Sequence, residues 1–290
     1  MWWRTRCLWP AYVLAVAIPV SAAFEVTGVG ARSTALGGAF AAGVNSDDVV
    51  WHNPAGNARL QQWQGGTTHA LLHPGLSESV SAHGLAFAGP IRSGALQVGV
   101  SFLSANGWSE EVAALGFGQQ LHPRVALGGV VRSSAWEAED LSRRTWSVDM
   151  GGTYDVGYIH PRASLRLGIL LKDLNRANTA AGGQAAGRTS RGLVVASSLM
   201  LEGRQVLVDV ERRDGRTEVR GGYETGVISL AGARFRLGGS AAGPGWAGEK
   251  VNVGIGQDWK QWHFDYAYTY PLRVSALGGM HRFSLKYLWR

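Results

Sequence analysis

The chain has 290 residues, 46% hydrophobic and only 17% charged, with 41 glycines and a single cysteine. That balance excludes a disordered chain, which needs low hydrophobicity and high charge, and one cysteine excludes an internal disulfide framework. The net charge of +7 comes from basic residues scattered singly, such as Arg166, Arg220, Arg234, Arg236 and Lys286. A nucleic-acid face clusters them, so no nucleic-acid partner is implied.

Residues 1–23 read as a signal peptide. Arg4 and Arg6 precede a short apolar stretch, Leu8 to Val20, and Ser21-Ala22-Ala23 supplies small residues at a cleavage site. Cys7 leaves with that segment, and a mature chain without cysteine suits an oxidising compartment. Residues 24–62 carry no alternation. A small-residue run, Ala35-Leu36-Gly37-Gly38-Ala39-Phe40-Ala41, leads to Asp47-Asp48 and then to Trp51-His52-Asn53-Pro54-Ala55-Gly56, where Asn-Pro starts a turn.

From about Gly65 the period is two. In Leu96-Gln97-Val98-Gly99-Val100-Ser101-Phe102 one face is Leu, Val, Val, Phe and the other Gln, Gly, Ser. Alternation and turn signals predict fourteen strands, at 64–72, 80–89, 94–103, 111–120, 123–133, 144–156, 162–172, 191–201, 204–212, 216–224, 228–237, 249–259, 261–270 and 279–289. The first two are the most weakly patterned. Several have the roughly 9–11 residues that a tilted strand needs to cross a bilayer, and the count is even, as in bacterial outer-membrane barrels. Asp214-Gly215 signals a tight hairpin. Residues 173–190 and 241–248 are polar and glycine-rich and read as loops.

Three features favour a membrane barrel over a soluble β-sandwich, whose inward face would be the greasy one. Charge sits in mid-strand on the polar face, at Asp149, Arg166, Asp209, Arg220, Arg234 and Asp265. Aromatic residues gather near strand ends, where rings favour the lipid–water boundary: Trp146, Tyr154, Tyr158, Trp259, Trp262, Tyr270 and Trp289. The third feature is the export signal. Backbone groups in a bilayer must all be paired, so such strands cross only as a closed cylinder. The expected fold class is therefore all-β: a transmembrane antiparallel β-barrel at residues 63–290, in outer-membrane lipid, preceded by a plug segment at 24–62.

Catalytic chemistry is not apparent. His69 and His73 share a strand face but lie about 13 Å apart, with no cysteine to help, so no metal is expected. Gly28-Val29-Gly30 lacks the third glycine of a dinucleotide fingerprint, and Gly238-Gly239-Ser240-Ala241-Ala242 falls short of a nucleophile elbow. His263 and Asp265, with Ser284 and Lys286 on the next strand, form a polar lumen cluster read as structural pairing. The reading is of a non-enzyme with no cofactor.

The run Gly30-Ala31-Arg32, Leu36-Gly37-Gly38-Ala39-Phe40-Ala41, Asp47-Asp48 and Trp51-His52-Asn53-Pro54-Ala55-Gly56 resembles the N-terminal signature of the PorV/PorQ family. These are outer-membrane barrels related to the FadL long-chain fatty acid transporters. The likeness returns at Leu167-Gly168-Ile169 with Lys172-Asp173-Leu174, and at Asp265-Tyr266-Ala267-Tyr268 with Leu277-Gly278-Gly279-Met280-His281-Arg282-Phe283. It implies a fourteen-stranded barrel with an N-terminal plug, whose conformation Asn53, Pro54 and Ala55 hold, together with the matching Gly37, Gly38, Asp47, Asp48 and Gly56. It also implies one of two functions. The first is an accessory of a type nine-like secretion apparatus, contacting a large translocon and secreted cargo. The alternative is a FadL-like passive channel, in which the plug binds a hydrophobic ligand. A lumen that is charged and glycine-rich, with no apolar pocket, tilts the sequence reading toward the accessory.

Overall fold

The computed structural model describes residues 30–72, 74, 80–181, 187–226, 232–243, 249–272 and 278–289. The expected signal peptide, residues 24–29, His73, part of each long loop and Arg290 lie outside them. Fourteen strands follow one another: β1 Gln64–Leu72, β2 Val80–Ile91, β3 Gly94–Ala105, β4 Trp108–His122, β5 Val125–Ala138, β6 Leu141–His160, β7 Ala163–Lys172, β8 Gly192–Leu201, β9 Arg204–Arg213, β10 Arg216–Gly226, β11 Ala233–Ala242, β12 Lys250–Trp259, β13 Trp262–Pro271 and β14 Met280–Leu288. Each is antiparallel to its neighbours, and β1 pairs with β14 from Gln64↔Leu288 to Leu71↔His281, closing the barrel with no free edge.

The burial pattern is the inverse of a water-soluble sheet. On β9 the outward residues are Val206, Val208 and Val210, while Gln205, Leu207, Asp209 and Glu211 point inward and are buried. Ile255 is 59% exposed on the outer wall, whereas Asp209 is 1% and Arg236 2% exposed. This inversion decides against the sandwich: an apolar exterior of this extent is stable only against lipid. The seven ring-bearing residues expected at strand ends are all exposed. At the end holding Gln64 and Leu288, Trp63, Phe87, Trp289, Tyr287 and Trp262 touch in sequence, with ring centroids 4.7–5.4 Å apart, as an interfacial belt does.

At that terminal end the links 92–93, 123–124, 161–162, 202–203 and 260–261 are two residues long. At the far end three links are equally short: 106–107, 139–140 and 214–215. Asp214 and Gly215 have φ of 51° and 71°, the paired positive values of the expected tight hairpin turn. Strand boundaries differ from expectation in two places. β4, β5 and β6 run past their expected ends, β6 to 20 residues with register breaks at Asp155/Gly157 and Tyr158/His160. β11 is displaced toward the C-terminus; residues 228–231 of the expected strand lie outside the described residues. Residues 238–240, left between the expected strand and loop, and 241–242, read as loop, are strand, with glycines pairing across the sheet and no bulky side chains to mark the alternation.

Residues 30–62 form short elements: α1 Ala31–Ala35, α2 Val49–His52 and a 3₁₀ turn, Pro54–Asn57. They run through the lumen. α1 packs against β11–β14, α2 against β3 and β4, and the 3₁₀ turn against β4–β6 on the opposite wall. Wall glycines admit them. A Cβ added at Gly99, Gly118, Gly128, Gly151, Gly168, Gly222, Gly238 or Gly254 would lie 2.1–2.7 Å from an atom of this segment. The glycine excess therefore has a steric role: the wall is thinned to a bare backbone where the segment touches it.

Candidate functional site: the occupied lumen

The sharp turn at Asn53 sets the segment's path. Asn53 is extended, at φ −146° and ψ 105°, and its Oδ1 caps the 3₁₀ turn by accepting from the Ala55 N–H at 3.2 Å. Pro54 occupies the first helical position, where no N–H is needed. The Asn53 Nδ2 donates to Ala41 O at 2.7 Å and to the wall carbonyls of Gly152 at 3.2 Å and Ile169 at 3.3 Å. Pro54 O accepts from the wall's Gln97 Nε2 at 2.7 Å. Ala55 packs with Ala58 and the wall's Ala126, and Gly56 lies against Gly43 O, 2.3 Å from where a Cβ would sit.

Gly37 and Gly38 end α1. Both have positive φ, 73° and 80°, and the bonds Gly38 N–H to Ser33 O and Gly37 N–H to Thr34 O make a Schellman stop. A Cβ on Gly37 would come within 2.6 Å of the wall oxygens Gly239 O and Gly221 O.

Asp47 and Asp48 face the seam between β1 and β14. Asp48 accepts from the Ser33 hydroxyl at 3.2 Å and packs on Gly30, while Asp47 lies against Gly66 of β1. Burial, then the neighbouring Asp47 charge, pushes the Asp48 carboxyl up to about 7, against the pull of Lys286. Burial likewise raises Asp47. His52 is neutral: burial, then Lys172 and Arg220, lowers it to about 3, and its ring packs edge-on to Phe40 with centroids 5.3 Å apart.

Further anchors hold the segment, and their partners Asp209, Asn57 and Glu224 carry no signal in the sequence motif. The Asp209 carboxylate accepts from the backbone N–H groups of both Phe40 and Ala41 at 3.0 Å. Asn57 closes a reciprocal pair with Ser46, accepting from its N–H at 3.3 Å and donating to its O at 2.8 Å. Arg32 grips Glu224 with Nε at 3.0 Å and Nη2 at 3.1 Å. Burial opposes its charge, but the Glu224 partner wins and raises its pKa. Arg236 shares Glu224 at 2.5 Å and reaches Asp265 at 2.6 Å. Across the lumen Arg132 pairs with Asp149, while Glu211 takes Lys172 at 2.9 Å and also pairs with Arg220. All six mid-strand charges expected on the polar face point inward: Asp149, Arg166, Arg220, Arg234 and Asp265 into ion pairs, and Asp209 onto the plug backbone. The expected cluster resolves the same way: His263 contacts Asp258 at 2.5 Å and Asp265 belongs to Arg236.

Two spaces border the segment. Near the terminal end a polar cavity of about 610 Å³ opens between Arg32, Arg59, Asp155, Arg166, Arg234 and Asp258. At the far end the wall turns apolar. Leu72, Ala70 and Ala82 are buried together, with Val80, Leu103 and Met280 packed against them. Trp108 and Trp136 stack there at 5.1 Å and 8°, and Trp136 Nε1 donates to Thr179 O of the long loop after β7. This corrects the expectation of a lumen without an apolar pocket. Leu72, Val80, Leu103 and Met280 occupy the inward phase of their strands, as do Val112, Val130, Leu170, Val194 and Leu207 beneath the plug, so polar-inside patterning breaks both at the far mouth and where the segment packs on the wall.

No known protein family matches the sequence, and no curated relative is similar to it. Solved structures are. A toluene transporter of Ralstonia pickettii, TbuX, shares 13% identity with a TM-score of 0.64 over 92% of this chain and 99% of its own. The Pseudomonas putida toluene transporter TodX shares 12% with a TM-score of 0.58 over 92% and 98%. The monoaromatic hydrocarbon channel CymD shares 13% with a TM-score of 0.62 over 92% and 98%. The closed antiparallel β-barrel fold is shared with these hydrocarbon channels. These neighbours are transport channels; none of them supports a secretion translocon as partner, and the likeness to PorV/PorQ rests on its motif residues alone.

Proposed function

We propose that this protein is a passive outer-membrane channel for small hydrophobic molecules, with residues 30–62 as its plug. The observation that carries the reading is the apolar collar of Leu72, Val80, Leu103 and Met280 at the far mouth, above a lumen whose wall carries buried ion pairs beside the apolar patches under the plug. A charged wall repels an apolar solute, whereas a collar of this kind concentrates one by removing it from water. Asn53, Pro54, Ala55 and Gly56 hold the plug against β4–β6, Gly37 and Gly38 seat it against β10 and β11, and Asp47 and Asp48 close it on the β1/β14 seam. Passage requires the plug to shift, because it fills the lumen between collar and polar cavity. The hydrocarbon-channel neighbours weigh against the secretion reading.

The test uses cells whose outer membrane excludes toluene. Expression of the full chain should speed toluene uptake severalfold, and Leu103→Glu with Met280→Glu, which place charge in the collar, should remove the gain. Uptake equal to that of cells lacking the protein would sink the channel reading; co-purification of a very large membrane partner with no gain in uptake would restore the accessory.

A further inference from the structure

Five two-residue links close the terminal end, and each brings one cation to the rim: Arg92, Arg124, Arg162 and Lys260 lie within links, and Arg204 directly follows one. All five are exposed. Glu202 is the one acid in these links, and it pairs with Arg162 at 2.7 Å. The three tight links at the far end reverse the sign, carrying Glu139, Asp140 and Asp214 and no base. The cations of the tight links therefore sort to one end of the barrel.

Each cation stands shortly after a large apolar side chain that is itself exposed: Ile91 to 41%, Leu121 to 58%, Ile159 to 55%, Leu201 to 42% and Trp259 to 58%. Two links repeat one sequence, His122-Pro123-Arg124 and His160-Pro161-Arg162, and in both the Arg N–H donates to the His Nδ1, at 3.3 and 3.4 Å. That bond and the fixed proline φ hold both turns in one form. Lys260 lies over its neighbour Trp259, 5.3 Å from the ring centroid. The links spread around the rim from β2/β3 to β12/β13, and the first four follow at intervals of two strands, about 10 Å.

We propose that this rim is a docking surface for the phosphates of anionic phospholipids, with the apolar residue of each link in the acyl region and the cation at the headgroup. Basic residues beside an apolar membrane surface attract anionic headgroups, and an apolar residue followed by a positive tip matches the lipid–water boundary. The aromatic belt of Trp63, Phe87, Trp289, Tyr287 and Trp262 lies at this same end. Short links face the periplasm in outer-membrane barrels, which puts the cations at the inner leaflet. Their spread chooses the partner. A soluble acidic protein needs its cations gathered on one sector, whereas lipid meets the barrel from all sides. The inference goes beyond the channel reading and does not depend on it, since it needs only a barrel seated in lipid.

The test compares quenching of the full chain's tryptophan emission by acyl-brominated phosphatidylglycerol and by acyl-brominated phosphatidylcholine in bilayers at low salt. Phosphatidylglycerol should be preferred about threefold or more, and the preference should fall toward one at about 1 M salt, where charges are screened within about 3 Å. The combined variant Arg92→Gln, Arg124→Gln, Arg162→Gln, Arg204→Gln and Lys260→Gln should lose at least about half of the excess, with folding checked by compact migration on unheated gels. Glu202→Gln, which removes the acid from these links and frees Arg162, should move the preference upward and serves if the combined variant does not fold. Equal quenching by the two lipids in wild type overturns the proposal, as does a preference unchanged in the folded combined variant or in Glu202→Gln. Inorganic phosphate that abolishes the preference at an ionic strength where chloride does not would assign the cations to free phosphate and overturn it. A wild-type chain without lipid preference that retains polyglutamate through the same five residues would overturn it in favour of an acidic protein.

Discussion

Replacing Asn53 by Ala tests whether a single amide fixes the plug. The substitution deletes the cap on the Ala55 N–H, a loss of about 1 kcal/mol. It also removes the 2.7 Å bond to Ala41 O, within a fully buried setting, where an orphaned acceptor costs about 1–3 kcal/mol. The longer bonds to Gly152 O and Ile169 O matter less, since the strands' own ladders serve those carbonyls. The sum is about 3 kcal/mol, and at about 1.4 kcal/mol per factor of ten the displaced plug becomes roughly 100-fold more populated. Two assays read this: the rate at which trypsin cuts within residues 30–62, and single-channel conductance in planar bilayers. Asn53→Asp sharpens the test. It keeps the Oδ1 cap but turns a second oxygen toward three carbonyls, so it should open the plug at least as far. A harmless Asn53→Asp would mean that the residue acts only as a cap. Cutting and conductance within twofold of wild type in a folded Asn53→Ala barrel would refute the account altogether.

Other perturbations follow from the same geometry. Asp48 binds its proton more tightly folded, at about 7, than unfolded, at 3.8, so its contribution is fully present below pH 3.8 and is lost as pH rises through 7. Plug seating should therefore weaken by up to about 4 kcal/mol between those limits, read as rising single-channel conductance, and Asp48→Asn should reduce the pH dependence to the part that Asp47 contributes. Gly37→Ala meets both a positive φ and two wall oxygens, so it should cost about 2–5 kcal/mol, measured as a lowered unfolding midpoint in detergent. A double-mutant cycle of Arg32→Met and Glu224→Gln should show a coupling of about 1–3 kcal/mol; additivity would mean that the pair does not hold α1 to the wall. Asp209→Ala leaves the Phe40 and Ala41 N–H groups without their acceptor and should raise trypsin cutting about tenfold or more.

The barrel was legible because a period of two survives wherever large side chains alternate with small or charged ones. Val206 to Val210 and Val251 to Ile255 declare both faces at once. The signal faded where the wall had to be thin: Gly238, Gly239 and Ser240 of β11 lie under α1, and no bulky residue there could mark the phase. The Asn53-Pro54 turn was visible as a motif, but the attachments of the segment were not, because most run to backbone atoms or to residues more than 90 positions away: Asn53 to Gly152, Phe40 to Asp209 and Arg32 to Glu224. The apolar collar was hidden by the rule that made the barrel readable, since polar-inside patterning averages over whole strands and Leu72, Val80 and Met280 each stand at a strand's last or first residue.

The glycine-bared wall has a consequence for how this protein can change. Each thinned position is a keyhole cut for one atom of the thread that passes through it, so neither part can be exchanged alone. A thread borrowed from a distant barrel would meet bulk where this one meets backbone, and a wall residue enlarged by a single methyl would eject its native thread. Drift in either must be answered in the other, which makes loosening through a single one of these wall glycines a practical route to an engineered gate.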